Sequence, residues 1–145
     1  MKNIILIFAL TSGLMINAQS NEVQTAIETF FVGFHAKDSV KMKTICSDKM
    51  TMQSISEDGK NVKLSDENVH NFFKTVATLP STLVFEERIL DYKIQIDGSM
   101  AHAWTPYELY FNGKLYSSGV NAFTLVKQDE VWKIIFLIDT RRKAK

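Results

Sequence analysis

The residues best placed to do chemistry in this chain lie in its last third. Trp132 to Ile138 reads WKIIFLI, and Asp139 follows, with Arg141 and Arg142 just beyond. Side chains on a strand repeat every two residues, so Asp139 shares a face with Leu137 and Ile135 and is the polar member of an apolar row. Asn121 holds the same kind of place with Phe123 and Leu125. A carboxylate among apolar neighbours can move a proton next to a carbonyl. The competing reading of Asp139 is a solvated ion pair with Arg141 or Arg142, a common and weak interaction. His102 sits between Ala101 and Ala103, on the side of Met100 and Trp104. It is either a general base near physiological pH or a half-buried structural histidine. Tyr107 and Tyr110 carry phenols that need a partner when buried and can donate to a ligand oxygen. A catalytic set would use Asp139 to abstract a proton and Tyr107 or His102 to stabilise the oxyanion.

Other chemistries find no support. His35 and His70 lie on predicted helices with no carboxylate at ligand spacing, and there is no HxxxH, HxH or Cys/His cluster, so no metal site is expected. The chain has no glycine-rich phosphate loop and no G-x-S-x-G, and no cofactor is expected. Cys46 is the single cysteine and falls in an apolar helical pattern, which reads as a small buried hydrophobe. With 17 Lys and Arg against 16 Asp and Glu, no basic stripe exists to follow a phosphate backbone, so nucleic acid is not an expected partner.

The elements that position these residues begin after an export signal. Lys2 supplies a positive start, Ile4 to Ile16 is apolar, and Ile16-Asn17-Ala18 precedes Gln19 as an acceptable cleavage site. The apolar run is shorter than the roughly 20 residues that span a bilayer. A buried helix and an uncleaved anchor are the alternatives. A signal over residues 1–18 implies a periplasmic or secreted protein, free of the membrane after cleavage, with residues 19–145 as one domain.

Val23, Ile27, Phe30, Phe31 and Phe34 fall on one face of a first helix. Asp38 reads as the N-cap of a second, shorter one. Met50 to Ser56 alternates as a strand, and Asp58-Gly59 signals a hairpin. Ser65 reads as the cap of a third helix whose stripe is Val69, Phe72, Phe73 and Val76, with Leu64 and Val69 as a hydrophobic staple. From Leu83 onward the period is two. Strands end at Asp97-Gly98 and Asn112-Gly113, and the last runs from Val131 to Asp139. Adjacent hairpins predict an antiparallel sheet, and helices followed by a strand meander predict an α+β fold. Pro106 cannot donate to a ladder, so a bulge or bend is expected there, with a change of face assignment across it. The last two strands are apolar on both faces, more than three helices can cover, which predicts a homodimer.

Trp104-Thr105-Pro106-Tyr107, Gly119-Val120-Asn121-Ala122-Phe123, Trp132-Lys133-Ile134 and Asp139-Thr140-Arg141-Arg142 together resemble the NTF2-like superfamily, and more narrowly its exported or stand-alone SnoaL-like bacterial members. The resemblance spans residues 19–145 and implies a bent antiparallel sheet wrapped around three helices, a cone with a pocket at its open end. It also implies a histidine before Gly119 and an aspartate at position 121, where this chain has Ser117, Ser118 and Asn121. In such a cone Phe30, Phe34, Trp104, Tyr107, Tyr110, Asn121 and Phe123 would contact a small, largely apolar molecule. The alternatives are an isomerase or dehydratase built on Asp139, and a non-catalytic protein-interaction module whose cone is filled by its own side chains.

Overall fold

The computed structural model describes residues 2–144, with side chains from Ala18 onward. The expected signal segment, residues 1–18, therefore falls, except for Ala18, outside the described side chains. Helix α1 (Lys2–His35) buries Val23, Ile27, Phe30 and Phe31 along one face, with Phe34 half-buried near its end. Helix α2 (Ser39–Ile45) starts where expected: the Asp38 carboxylate accepts the Lys41 N–H at 2.9 Å.

Helix α3 (Val69–Thr78) is capped by Asn68, not Ser65, and the Asn68 side chain accepts the Asn71 N–H at 2.9 Å. Ser65 and Leu64 lie instead in β2 (Asn61–Glu67), paired along its length with β1 (Cys46–Asp58). The hairpin gives the backbone of these residues ladder partners, which a cap at Ser65 would forfeit. Cys46, at the start of β1, is buried and free, and burial pushes its thiol up to about 12, so it is an inert part of the core.

Five more strands complete the sheet: β3 (Phe85–Ile89), β4 (Lys93–Asp97), β5 (Met100–Phe111), β6 (Lys114–Gln128) and β7 (Val131–Lys143). The order is β2-β1-β7-β6-β5-β3, with β4 also on β5, in an open, curved sheet. One pairing departs from the antiparallel expectation. β1 and β7 run parallel, with Ser54 opposite Asp139. Hairpin signals govern only strands adjacent in sequence, and these two are joined through the rest of the domain. The β5–β6 turn is of the expected kind, with Asn112 at φ 48° and Gly113 at φ 76°, matching the twist of the flanking strands. Asp129 and Glu130 make the β6–β7 turn at φ 48° and 62° without a glycine.

Pro106 does not interrupt β5. Its carbonyl accepts the Leu90 N–H at 2.8 Å, so the N–H it lacks would point at the same neighbour, in the gap between β3 and β4. Ile89 pairs with Tyr107 and Lys93 with Trp104, so four steps on one side match three on the other and the extra residue lies in the β3–β4 connection. The faces of β5 therefore stay constant: Ala101, Ala103, Thr105 and Tyr107 are all buried on the concave side, and His102, Trp104 and Pro106 point outward. A bulge does occur in β7, where Ile135 is the extra residue between the pairs Leu125–Ile134 and Thr124–Phe136. Asp139 accordingly shares its inner face with Leu137 and Ile134 rather than with Ile135.

Candidate functional site

Between α1, α3 and the concave sheet lies a cavity of about 280 Å³. Its apolar wall is built mainly of phenylalanines. Phe30, Phe31 and Phe34 come from α1, and Phe72 from α3 stacks on Phe30 and Phe34 with ring centroids 6.4 and 6.1 Å away. Helical spacing puts the first three on one face, and the stripe of α3 supplies the fourth. The opposite end is polar, formed by Glu87, Tyr107, Ser117, Asn121, Asp139 and Arg141.

Glu87 is the centre of that end. β3 alternates Phe85, Glu87 and Ile89 inward with Glu86 and Arg88 outward, so the pleat drives one carboxylate into an apolar row. Asn121 Nδ2 donates to Glu87 Oε1 at 2.7 Å. The Glu87 backbone N–H donates to His35 Nε2 at 2.9 Å, tying β3 to the end of α1. Because Nε2 accepts there, the imidazole is neutral with its proton on Nδ1. Burial also lowers the His35 pKa, against the pull of Glu86. Burial pushes the Glu87 carboxyl up to about 7; the Asn121 amide opposes the rise, the Asp139 charge adds to it and Arg141 works against it. Among the described residues no buried side-chain nitrogen or oxygen lacks a partner. Glu87 Oε2 and Asn121 Oδ1 make no hydrogen bond among the described residues, so both open onto the cavity they line.

Asp139 stands directly across from Asn121 in the β6–β7 ladder. It combines a place in the cavity wall with an ion pair. It lines the cavity with its side chain 12% exposed, and its Oδ2 accepts Arg141 Nε at 2.6 Å. Arg141 also faces Glu67 at 3.6 Å.

Tyr107 is buried and lines the cavity, but its hydroxyl donates to the Thr140 carbonyl at 2.9 Å. Its pKa is pushed up by burial first and then by the charges of Glu87 and Asp139, so the phenol keeps its proton. That proton is spent on Thr140, which leaves Tyr107 as a wall and an acceptor rather than a free oxyanion donor. Gly119 makes this contact possible, since a Cβ there would fall 1.8 Å from the Thr140 carbonyl oxygen and 2.9 Å from the Tyr107 ring. The Thr140 hydroxyl in turn accepts the Val120 N–H at 3.0 Å.

The structure thus brings Phe30, Phe34, Tyr107, Asn121 and Asp139 together at one cavity. It does not bring the others. His102 and Trp104 are on the outer face, because the change of face expected at Pro106 does not occur. Tyr110 is on that face too, donating to Glu108 at 2.7 Å with the Arg88 guanidinium 4.2 Å over its ring. Phe123 is wholly buried behind the wall, its ring 6.1 Å from those of Phe30 and Phe31. Glu87 is the residue the sequence reading missed. The signal was the one that singled out Asn121 and Asp139, a polar residue inside an alternating apolar row, in a strand too short to stand out.

No model of a known protein family matches the chain, and no curated protein matches it. Solved structures do. The chain is similar to an NTF2-like protein of unknown function from Shewanella baltica OS155, with 16% identity and a TM-score of 0.64 over 88% of this chain and 96% of that one. It is similar to a proposed dehydratase of the NTF2-like family from Streptomyces avermitilis, with 12% identity and a TM-score of 0.65 over 88% and 99%. The beta subunit of a proposed aromatic-ring-hydroxylating dioxygenase from Novosphingobium aromaticivorans DSM 12444 has a TM-score of 0.72 at 10% identity, over 90% and 94%. The architecture is therefore an α+β cone of helices in a curved mixed sheet. It is the NTF2-like fold.

Proposed function

We propose that the cone binds one small, largely apolar molecule, with its body against the phenylalanines and its polar end at Glu87, Asn121 and Asp139. The observation that carries this reading is the division of the cavity into an apolar wall and one convergent polar end, the usual form of a small-ligand site. At about 280 Å³ it sits at the lower edge of the roughly 300–1,000 Å³ such sites occupy, so the ligand is small. The proposal extends to an exported protein, periplasmic or secreted, on the strength of the Lys2, apolar-run and Ala18 pattern. It also extends to a homodimer through the outer sheet face, where Met100 and Trp104 are 54% and 45% exposed beside half-buried Val126, Phe136 and Ile138. Native mass spectrometry of protein purified gently from its own host tests these parts together. The expected result is a dimer carrying a small bound mass. An empty dimer counts against the ligand, and a monomer against the dimer.

A second reading, an isomerase or dehydratase, is favoured by the Glu87 carboxyl standing near neutrality inside the cone, where a general acid or base works best. In that reading Glu87 takes a proton from a carbon beside a carbonyl, and returns it to another carbon of the same molecule or to a departing hydroxyl, which leaves as water. The likeness to a proposed dehydratase from Streptomyces avermitilis is consistent with it. Deuterium exchange from heavy water into 2-tetralone measures proton abstraction without the natural substrate. Exchange accelerated by the wild type and lost in Glu87→Gln supports catalysis; exchange at the uncatalysed rate counts against it.

A further inference from the structure

We infer that Glu87 selects ligands by hydrogen-bonding type, donating from Oε2 to a ligand carbonyl when protonated and accepting from a ligand hydroxyl when ionised. This rests on the reading of the cone as a ligand site and assigns its polar end a chemistry. The geometry carries it. Glu87 Oε1 is held by Asn121 Nδ2 at 2.7 Å and its backbone N–H by His35 Nε2 at 2.9 Å, so the carboxyl is held from β6 and its backbone from α1, while Oε2 is left to the cavity. The adjacent Asn121 Oδ1 also faces the cavity and only accepts. The Tyr107 hydroxyl hydrogen is committed to Thr140. A ligand carbonyl therefore needs the Glu87 proton in a way that a ligand hydroxyl does not. An anionic ligand end is disfavoured, because Asp139 and ionised Glu87 share the site and Arg141 is already paired with Asp139.

The groups facing Glu87 do not supply the same dependence. His35 on α1 is neutral, its pKa lowered by burial and its Nε2 occupied as an acceptor. Tyr107 on β5 keeps its proton, its pKa raised by burial. From β7, Asp139 and Arg141 hold each other at 2.6 Å. Glu86 and Arg88 flank Glu87 on β3 but point outward and pair at 2.8 Å. Buried Glu87, standing at about 7, is left to change state within the neutral range.

Three probes of one ring system test this: tetralin with no oxygen, 2-tetralone with a carbonyl, and 2-tetralol with a hydroxyl. Their binding to the full-length mature protein is measured by calorimetry at several pH values. Tetralone affinity should fall by about three- to tenfold from about pH 6 to about pH 8, as the donor form of Glu87 is lost. Tetralin affinity should stay flat, and tetralol affinity should not fall. In Glu87→Gln, whose amide is a permanent donor, the tetralone dependence should disappear. Tetralone binding that is flat in the wild type overturns the inference while leaving the cone as a ligand site. Binding of none of the three overturns the ligand-site reading, and the inference with it. Should Glu87→Gln fail to fold, carboxyl carbon NMR of the wild type decides. Saturating tetralone must raise the Glu87 midpoint, and an unmoved midpoint overturns the inference.

Discussion

The two faces of β5 carry the same kinds of residue under opposite conditions. On the concave side Thr105 and Tyr107 are buried, and each polar atom is committed: the Thr105 hydroxyl to the Asn121 carbonyl at 3.2 Å, the Tyr107 hydroxyl to Thr140. On the convex side His102 is half-buried between Gln95 and Thr124 in the ladder, and Trp104 is nearly half exposed. The difference teaches that residue type alone does not make a site on a curved sheet. The enclosed side removes water, and with it the screening that keeps carboxylates ordinary, so Glu87 is shifted there while Glu86, one residue away and outward, is lowered by its Arg88 partner.

Five substitutions break or sharpen this contrast, in falling order of effect. Gly119→Ala places a methyl where the Thr140 carbonyl already sits, so it should cost at least about 4 kcal/mol or abolish folding, read by chemical denaturation. Glu87→Gln should stabilise the fold at neutral pH and above by roughly 3 kcal/mol, because it removes a buried ionisation. The sign follows from the raised pKa. Neutral Glu87 is fully tolerated below about 4.5, and that stability is lost as pH rises toward about 7, so the variant and wild type should converge in acid. Melting temperatures across that range check it. Tyr107→Phe should lose about 1–2 kcal/mol, since the Thr140 carbonyl keeps its place without its donor. On the outer face, His102→Ala should change monomer stability by less than about 0.5 kcal/mol. Trp104→Ala should leave the monomer similarly intact yet weaken the proposed dimer, visible as a lower association constant in sedimentation.

The fold was legible where pattern and punctuation agreed. The stripe from Val23 to Phe34, the Asp38 cap and the Asn112-Gly113 turn all reappear as read. Ser65 was misleading because a capping pattern and a strand alternation occupy the same residues, and only pairing with β1 decides between them. The site was half legible. Asn121 and Asp139 announced themselves as polar members of long apolar rows. Glu87 lies in a five-residue strand whose inward row is Phe85, Glu87 and Ile89, too brief to register as a period. Its partner Asn121 is 34 positions away, a pairing that only the folded sheet creates. Pro106 shows the converse: a residue that should break a strand is harmless where its missing donor faces a gap.

The most direct test is carboxyl carbon NMR of the ligand-free protein, following Glu87 and Asp139 through a pH titration, with Glu87→Gln to assign the signal. A Glu87 midpoint near 7 would establish the buried, proton-carrying acid on which the cone's chemistry rests. A midpoint in the ordinary glutamate range, near 4.5, would contradict it and leave the cavity's polar end as a solvated rim.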